Sequence, residues 1–201
     1  MKVVILAAGE YPSHPEALAA LQAADRVVCC DGAANEFVDR GGLPFAIVGD
    51  ADSLSSDVAQ RFADRVIKVA EQETNDLCKA FRYVISLDIE NLELTILGAT
   101  GKREDHSMGN IFHLLDFAGI VPLQMLTNYG RFVAFNRPAL LPTRVGQQIS
   151  VFAPGCKLLQ SEGLKWPLRP FTYLWEGTLN EALSSVIHIL SDGPYLVYFP
   201  F

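Results

Sequence analysis

Four short turns hold most of the residues able to do chemistry. They read Asp31-Gly32-Ala33-Ala34-Asn35, Gly49-Asp50-Ala51-Asp52-Ser53, Gln72-Glu73-Thr74-Asn75-Asp76 and Gly98-Ala99-Thr100-Gly101-Lys102-Arg103-Glu104-Asp105-His106. Asp50 and Asp52 stand two apart at the end of an apolar run, which lets both carboxylates face the same way. Carboxylates that close repel unless they share a proton or a cation. Hard Mg²⁺ takes a few carboxylates together with water and phosphate oxygens. By itself the pair fits an Asx-turn equally well, with Asp52 or Ser53 capping the next helix. With Asp31 and Asp76 in neighbouring turns, metal binding is the favoured reading.

The Gly98–Asn110 stretch carries the second signal. Gly98 and Gly101 let backbone approach a phosphate, and a helix start beyond them supplies N–H donors and the positive end of the dipole. Lys102 and Arg103 add positive charge, and arginine can grip phosphate oxygens in a bidentate fork. The segment lacks the Walker spacing and is no P-loop. Asp105 fits a helix N-cap as well as a ligand contact. His106 reads better as structural, and Asn110, one turn on, reaches either the same mouth or solvent.

Alternating strands and helices are needed to bring these turns together. Apolar runs at Val3–Ala7, Arg26–Cys30, Phe45–Val48, Arg65–Val69, Leu92–Leu97 and Val121–Leu126 read as strands. Helices are expected over Pro15–Ala24 (capped by Ser13 with Glu16), Ala33–Arg40, Ser55–Ala63, from Asn75 or Thr74 to about Leu87, and over Asp105–Ala118. Such alternation predicts a mainly parallel sheet with helices on both faces, whose ligands bind outside the carboxyl ends of the strands. All four turns fall there. After Asn128 the pattern changes to short β-rich runs at Phe132–Phe135, Gln148–Ala153, Lys157–Gln160, Ala182–Leu190 and Tyr195–Phe199. These predict an antiparallel β-sandwich, and hence two domains, 1–128 and 129–201.

Composition narrows the functional classes. Half of the 201 residues are hydrophobic and the net charge is −7. Without a Lys/Arg cluster, a nucleic-acid surface is not expected. No apolar run reaches the roughly 20 residues of a membrane span. The first nine residues read as a buried strand rather than a signal peptide, so a cytoplasmic setting is expected. Cys29, Cys30, Cys78 and Cys156 lack metal-site spacing and read as core hydrophobes.

In order, these turns resemble the motifs of the thiamine pyrophosphokinase family. The likeness extends into the tail, where Gly163-Leu164-Lys165-Trp166-Pro167-Leu168 and Gly177-Thr178-Leu179-Asn180 look like the family's Gly-Leu-x-Trp-x-Leu and Thr-Ser-Asn stretches. Ala33, Glu73, Asn75 and Leu179 depart from the usual Gly, Asp, Thr and Ser. The resemblance implies an α/β catalytic domain, a β-sandwich, and a homodimer binding thiamine between subunits. It implies Mg²⁺, and transfer of diphosphate from ATP to thiamine with release of AMP. Carried over by position, Asp50, Asp52 and Asp76 would hold Mg²⁺. Gln72, Arg103 and Asp105 would line the nucleotide site, with Asp31, Asn35, Glu73, Gly98, Thr100, Gly101 and Asn110 as further candidates from the same turns. Arg103 would offset developing charge, and Asp76 or Asp52 would take the proton. Trp166 would stack on thiamine, near Thr178 and Asn180. A Mg²⁺-dependent nucleotidyl- or sugar-transferase and a non-catalytic thiamine or nucleotide sensor are the alternatives.

Trp166 separates the family reading from simple alternation. In a regular strand, Leu164, Trp166 and Leu168 would share one buried face. Gly163 and Pro167 instead suggest an irregular segment that presents the ring.

Overall fold

The computed structural model describes residues 1–201. Five short apolar runs form a parallel sheet in the N-terminal part. These are β1 (Lys2–Leu6), β2 (Arg26–Cys30), β3 (Ala46–Gly49), β4 (Val66–Lys68) and β5 (Glu93–Leu97). The crossovers carry α1 (Pro15–Gln22), α2 (Ala33–Asp39), α3 (Ser56–Arg61) and α4 (Asp76–Ser86). Strand β1 is central, with β5 on one side and β2, β3 and β4 following on the other, every pair parallel. Strands β1, β2 and β3 are buried along nearly their whole length, as expected of a sheet covered on both faces. Cys29 and Cys30 are therefore both buried although they point to opposite faces, and both are free thiols.

Helix α4 is strongly amphipathic. Leu77, Phe81 and Val84 are buried on its inner stripe, and Asn75 caps it by accepting from the Cys78 N–H at 3.0 Å. The expected Ser13 cap of α1 is replaced. His14 occupies the cap and its Nδ1 accepts from Glu16 N–H at 3.3 Å. The Ser13 N–H goes to Asn128 Oδ1 at 2.7 Å instead, tying that loop to the far end of β6 (Leu123–Leu126).

The chain divides into two compact units. One comprises Met1–Ile111 with Met125–Asn128, the other Phe112–Gln124 with Tyr129–Phe201. The division thus cuts α5 (Glu104–Phe117) and β6, rather than falling only after residue 128.

The second unit is built from two antiparallel sheets. One pairs β7 (Gly130–Phe135), β13 (Tyr195–Pro200), β9 (Gln148–Phe152) and the two-residue β11 (Asn180–Glu181). The other places β12 (Val186–Ser191) between β8 (Ala139–Pro142) and β10 (Leu159–Glu162). Ile149, Val151, Leu159, Ile187, Ile189, Tyr195 and Val197 interdigitate between them as one core. Val186–Ser191 is a strand, as its alternation suggests, whereas β8 and β11 are not apparent from the pattern. No helix is long and apolar enough to cross a membrane.

The Gly163–Leu168 segment is irregular, with Gly163 at φ +82°. Leu164 and Leu168 are 5% and 7% exposed, while Trp166 is 54% exposed. The three do not share a buried face, and the ring is presented. Leu164→Ala should therefore lose about 2–5 kcal/mol of stability, and Trp166→Ala should stay within about 0.5 kcal/mol of wild type. Thermal and denaturant unfolding check both, and equal losses would place the indole in the core.

Candidate active site

The end of β3 organises one side of the site. A Cβ on Gly49 would lie 2.7 Å from the Asp31 Cβ and 3.4 Å from Asp76 Oδ1, so only glycine lets these acidic side chains close over the strand. Asp31, 3% exposed, accepts from the Ser53 N–H at 3.0 Å through Oδ2, and its Oδ1 has no partner. Asn35 braces the same turn. It donates to Ser53 O and accepts from the Ser55 N–H, both at 2.9 Å. Between the paired aspartates Ala51 takes φ +69°, a conformation unusual for a residue with a Cβ. The cap of α3 is Ser55, leaving Asp52 and Ser53 free of that duty.

The Asp50–Ala51–Asp52 turn gathers carboxylates. Oxygens of Asp31, Asp50 and Asp52 all lie within 4.8 Å of one another. Burial pushes the Asp31 carboxyl above its ordinary range, and the neighbouring Asp76 and Asp52 push the same way against the Ser53 N–H. Gln72 acts oppositely on Asp50. Its amide donates to Asp50 Oδ2 at 2.9 Å and, with the Asp52 N–H, holds that carboxyl below its usual value. Three acidic groups this close, one with a buried and unbonded oxygen, form a donor set suited to a hard divalent cation.

Asp76 opens α4 and is held differently. Its Oδ1 pairs with the Lys79 ammonium at 3.0 Å. Burial alone would lower the Lys79 pKa, but Asp76, with Asp50 and Glu71 beyond, holds it above the ordinary lysine value. Glu71 shapes the turn before α4 by accepting from the Glu73 and Thr74 N–H groups and the Thr74 hydroxyl. The cap residue Asn75 also donates to Asn110 Oδ1 at 2.9 Å, and Asn110 donates to Ala99 O at 2.8 Å. That relay links the start of α4 through α5 to the exit of β5.

The remaining wall comes from the exits of β1 and β5. Gly9 and Glu10 N–H groups donate to Gly98 O and Thr100 O at 2.6 and 2.7 Å. Gly98 and Gly101 have φ of +63° and +95°, and a Cβ on them would strike Ala7 O and the Glu10 side chain. These glycines thus serve the close packing of two loops. Arg103 makes a two-point contact with Asp105, Nε to Oδ1 at 3.1 Å and Nη2 to Oδ2 at 2.6 Å. The Arg103 bonds and the His106 N–H bring the exposed Asp105 carboxyl down to about 2.

A cavity of about 510 Å³ opens between these walls. Of the residues expected from the sequence, Asp50, Asp52, Gln72, Asp76, Thr100, Arg103 and Asn110 line it. Asp31 lies beneath the Asp50–Asp52 turn, Asn35 braces that turn, and Asp105 clamps Arg103. Glu73, Gly98 and Gly101 shape loops at its edge. Lys102, expected to add positive charge, lines it too, as do Lys79 and Asn75, which the sequence does not mark as ligand contacts. The Asp76-x-x-Lys79 spacing is visible in the sequence, but it reads as an ordinary i,i+3 ion pair. Because Gly49 admits the Asp31 side chain, Gly49→Ala should cost about 1–3 kcal/mol through overpacking, measured by thermal unfolding. An unchanged melting temperature would show spare room at this strand end.

Within the second unit, Asn180 is 5% exposed and holds the Trp166 backbone from both sides. Its Oδ1 accepts from Trp166 N–H at 3.2 Å, and its Nδ2 donates to Trp166 O at 2.7 Å. Lys165 Nζ sits 4.9 Å from the centre of the indole. Thr178 donates to Trp175 O at 2.8 Å, closing the short 3₁₀ turn Leu174–Gly177. Leu179 follows at φ +59° and is 73% exposed. Asn180 therefore shapes the ledge that carries the exposed Trp166, whereas Thr178 closes the turn that carries Trp175.

Comparison with known proteins agrees with this arrangement. Residues 18–121 match the family model "Thiamin pyrophosphokinase, catalytic domain", and residues 130–198 match "Thiamin pyrophosphokinase, substrate-binding domain". Thiamine pyrophosphokinase 1 of Oryza sativa subsp. japonica is 28% identical over 207 residues, covering 83% of this chain and 75% of its own. Thiamine pyrophosphokinase 2 of Arabidopsis thaliana is 28% identical over 203 residues, covering 84% and 75%. Among solved structures, the Bacillus subtilis thiamine pyrophosphokinase superposes with a TM-score of 0.78 at 19% identity, covering 100% of this chain and 99% of that one. The Candida albicans protein gives 0.79 at 16% identity, covering 100% and 88%. With family models matching both parts of it, the chain belongs to the thiamin pyrophosphokinase family, enzymes of thiamine diphosphate synthesis.

Proposed function

We propose that this family member transfers diphosphate from ATP to the thiamine hydroxyl at the cavity where β1, β3 and β5 end, releasing AMP. The observation that carries the reading is the carboxylate cluster of Asp31, Asp50 and Asp52 beside a cavity also lined by Lys102 and Arg103. The unpartnered Asp31 Oδ1 and the all-oxygen donor set fit Mg²⁺. Asp50 and Asp52 would hold the ion, with Asp31 or Asp76 as the third carboxylate. Bound there, it would neutralise charge between the carboxylates and the phosphate oxygens.

The protein's own contribution is positioning and charge, as in phosphoryl transfer generally. Gln72 orients Asp50. Arg103 is held by Asp105 on an exposed turn, where its fork is available to exchange that carboxylate for a phosphate. The thiamine oxygen forms a bond to the β-phosphorus, and the bond from that phosphorus to the α,β-bridging oxygen breaks. AMP leaves with the bridging oxygen, and the hydroxyl proton passes to a carboxylate, Asp76 or Asp52. Residues 1–128 serve as the catalytic domain. Residues 129–201 serve as the thiamine-binding and dimerisation domain, with the vitamin stacked on Trp166 at a homodimer interface in the cytoplasm. The exposed indole supports that role, since a thiazolium over its face gains roughly 1–2 kcal/mol in a dry site.

An assay with thiamine, ATP and Mg²⁺ tests the reading. AMP and thiamine diphosphate should appear in equal amounts, and chelation should abolish both. Asp52→Asn should keep the fold and lower turnover by more than about tenfold. Pyrophosphate release would indicate a nucleotidyl-transferase instead, and thiamine binding without AMP formation would indicate a sensor.

A further inference from the structure

Lys79 is a buried charge that the chemistry above does not use. It stands one turn into α4, is 4% exposed, and lines the cavity together with Asp50, Gln72 and Asp76. An ammonium carries three N–H donors. One is spent on Asp76 Oδ1 at 3.0 Å, and the side chain makes no other hydrogen bond within the chain. Burying an ammonium is unfavourable unless its charge is compensated and its donors are bonded. Asp76 supplies the first requirement and one bond of the second.

A role as counterion to the acids accounts for the charge but not for the place. Counterions to acidic turns ordinarily sit at the surface, as Arg82 does beside Glu71 with 63% of its side chain exposed. Lys79 instead sits in the cavity wall with donors to spare. The acceptors that suit such donors are anionic oxygens, and the cavity's own acids are otherwise engaged. Asp50 accepts from Gln72 and the Asp52 N–H, and Asp52 accepts from the Ser53 hydroxyl.

We propose that Lys79 is a phosphate-contacting residue whose spare donors grip an oxygen of the diphosphate that ATP gives up. This rests on the nucleotide reading of the same cavity. Lys79 lines the cavity beside Asp50 and Asp76, on the side where a cation would neutralise the phosphates, and AMP lacks the β- and γ-phosphates. The contact therefore strengthens ATP binding and leaves AMP binding almost untouched.

Calorimetric binding of AMP and of α,β-methylene-ATP with Mg²⁺, to wild type and Lys79→Met, tests this. Methionine keeps the length of the stem and removes the charge. The analogue should bind about tenfold or more weakly, the loss expected of one charged hydrogen bond. AMP should stay within about twofold of wild type. Because Lys79→Met leaves Asp76 without its partner, Asp76→Asn should also be compared with Asp76→Asn/Lys79→Met, where the same tenfold difference is expected. Unchanged affinity for the analogue, or an equal loss for both nucleotides, overturns the proposal. If both Lys79 variants fail to fold, Lys79 is a structural counterion and the proposal falls. Wild type binding neither nucleotide would overturn the nucleotide reading itself.

Discussion

Carboxylate repulsion at the carboxyl ends of β2 and β3 is the constraint around which this site is built. Asp31 is buried with one oxygen bonded to a backbone N–H and the other unbonded, and Asp50 and Asp52 lie within a few ångströms. A protein gains nothing in stability from that arrangement without a cation. Two devices keep it in place. Gly49 provides the room, and the Asn35 amide pins the Ser53–Ser55 backbone that holds Asp31. The strained Ala51 turn then presents Asp50 and Asp52 toward the cavity.

The parallel sheet turns this local strain into a site. Because β1 lies between β5 and β2, the loops leaving β1 and β5 diverge from those leaving β2 and β3, and the cavity opens at that switch. The acidic wall belongs to β2, β3 and α4, and the basic residues Lys102 and Arg103 to the loop after β5. A polyphosphate bridged by a cation suits a cavity with walls of opposite sign. The Asn75–Asn110–Ala99 relay fixes the spacing between them.

Much of this was legible in the sequence, and what was not depends on contacts between distant segments. Asp50 and Asp52 stand out because a period of two at a strand end is a local property. The closeness of Asp31 depends on the lateral register of β2 on β3, which pairs Cys30 with Val48, and no local pattern carries that. Lys79 was hidden because an ion pair at helical spacing usually lies at the surface, and only the packing of α4 buries it. Gly98 and Gly101 were legible as special backbone positions, but their close neighbours are Ala7 and Glu10 of this chain. In the tail, β8 leaves little local signal because Leu140 faces solvent and Pro142 ends the run, features of an edge strand. Trp166 was ambiguous until the positive φ of Gly163 and the Asn180 bracket showed why the ring leaves the face of its neighbours.

The claim that the buried, half-bonded Asp31 marks a cation site is tested most directly by metal binding in the absence of substrates. Electron paramagnetic resonance of Mn²⁺, a spectroscopic substitute for Mg²⁺, reports bound and free ion in one titration. Asp31→Asn keeps an acceptor for the Ser53 N–H and removes the buried charge. Wild type should bind Mn²⁺, and Asp31→Asn should bind it about tenfold or more weakly. Identical titrations for the two proteins, both folded, would contradict it.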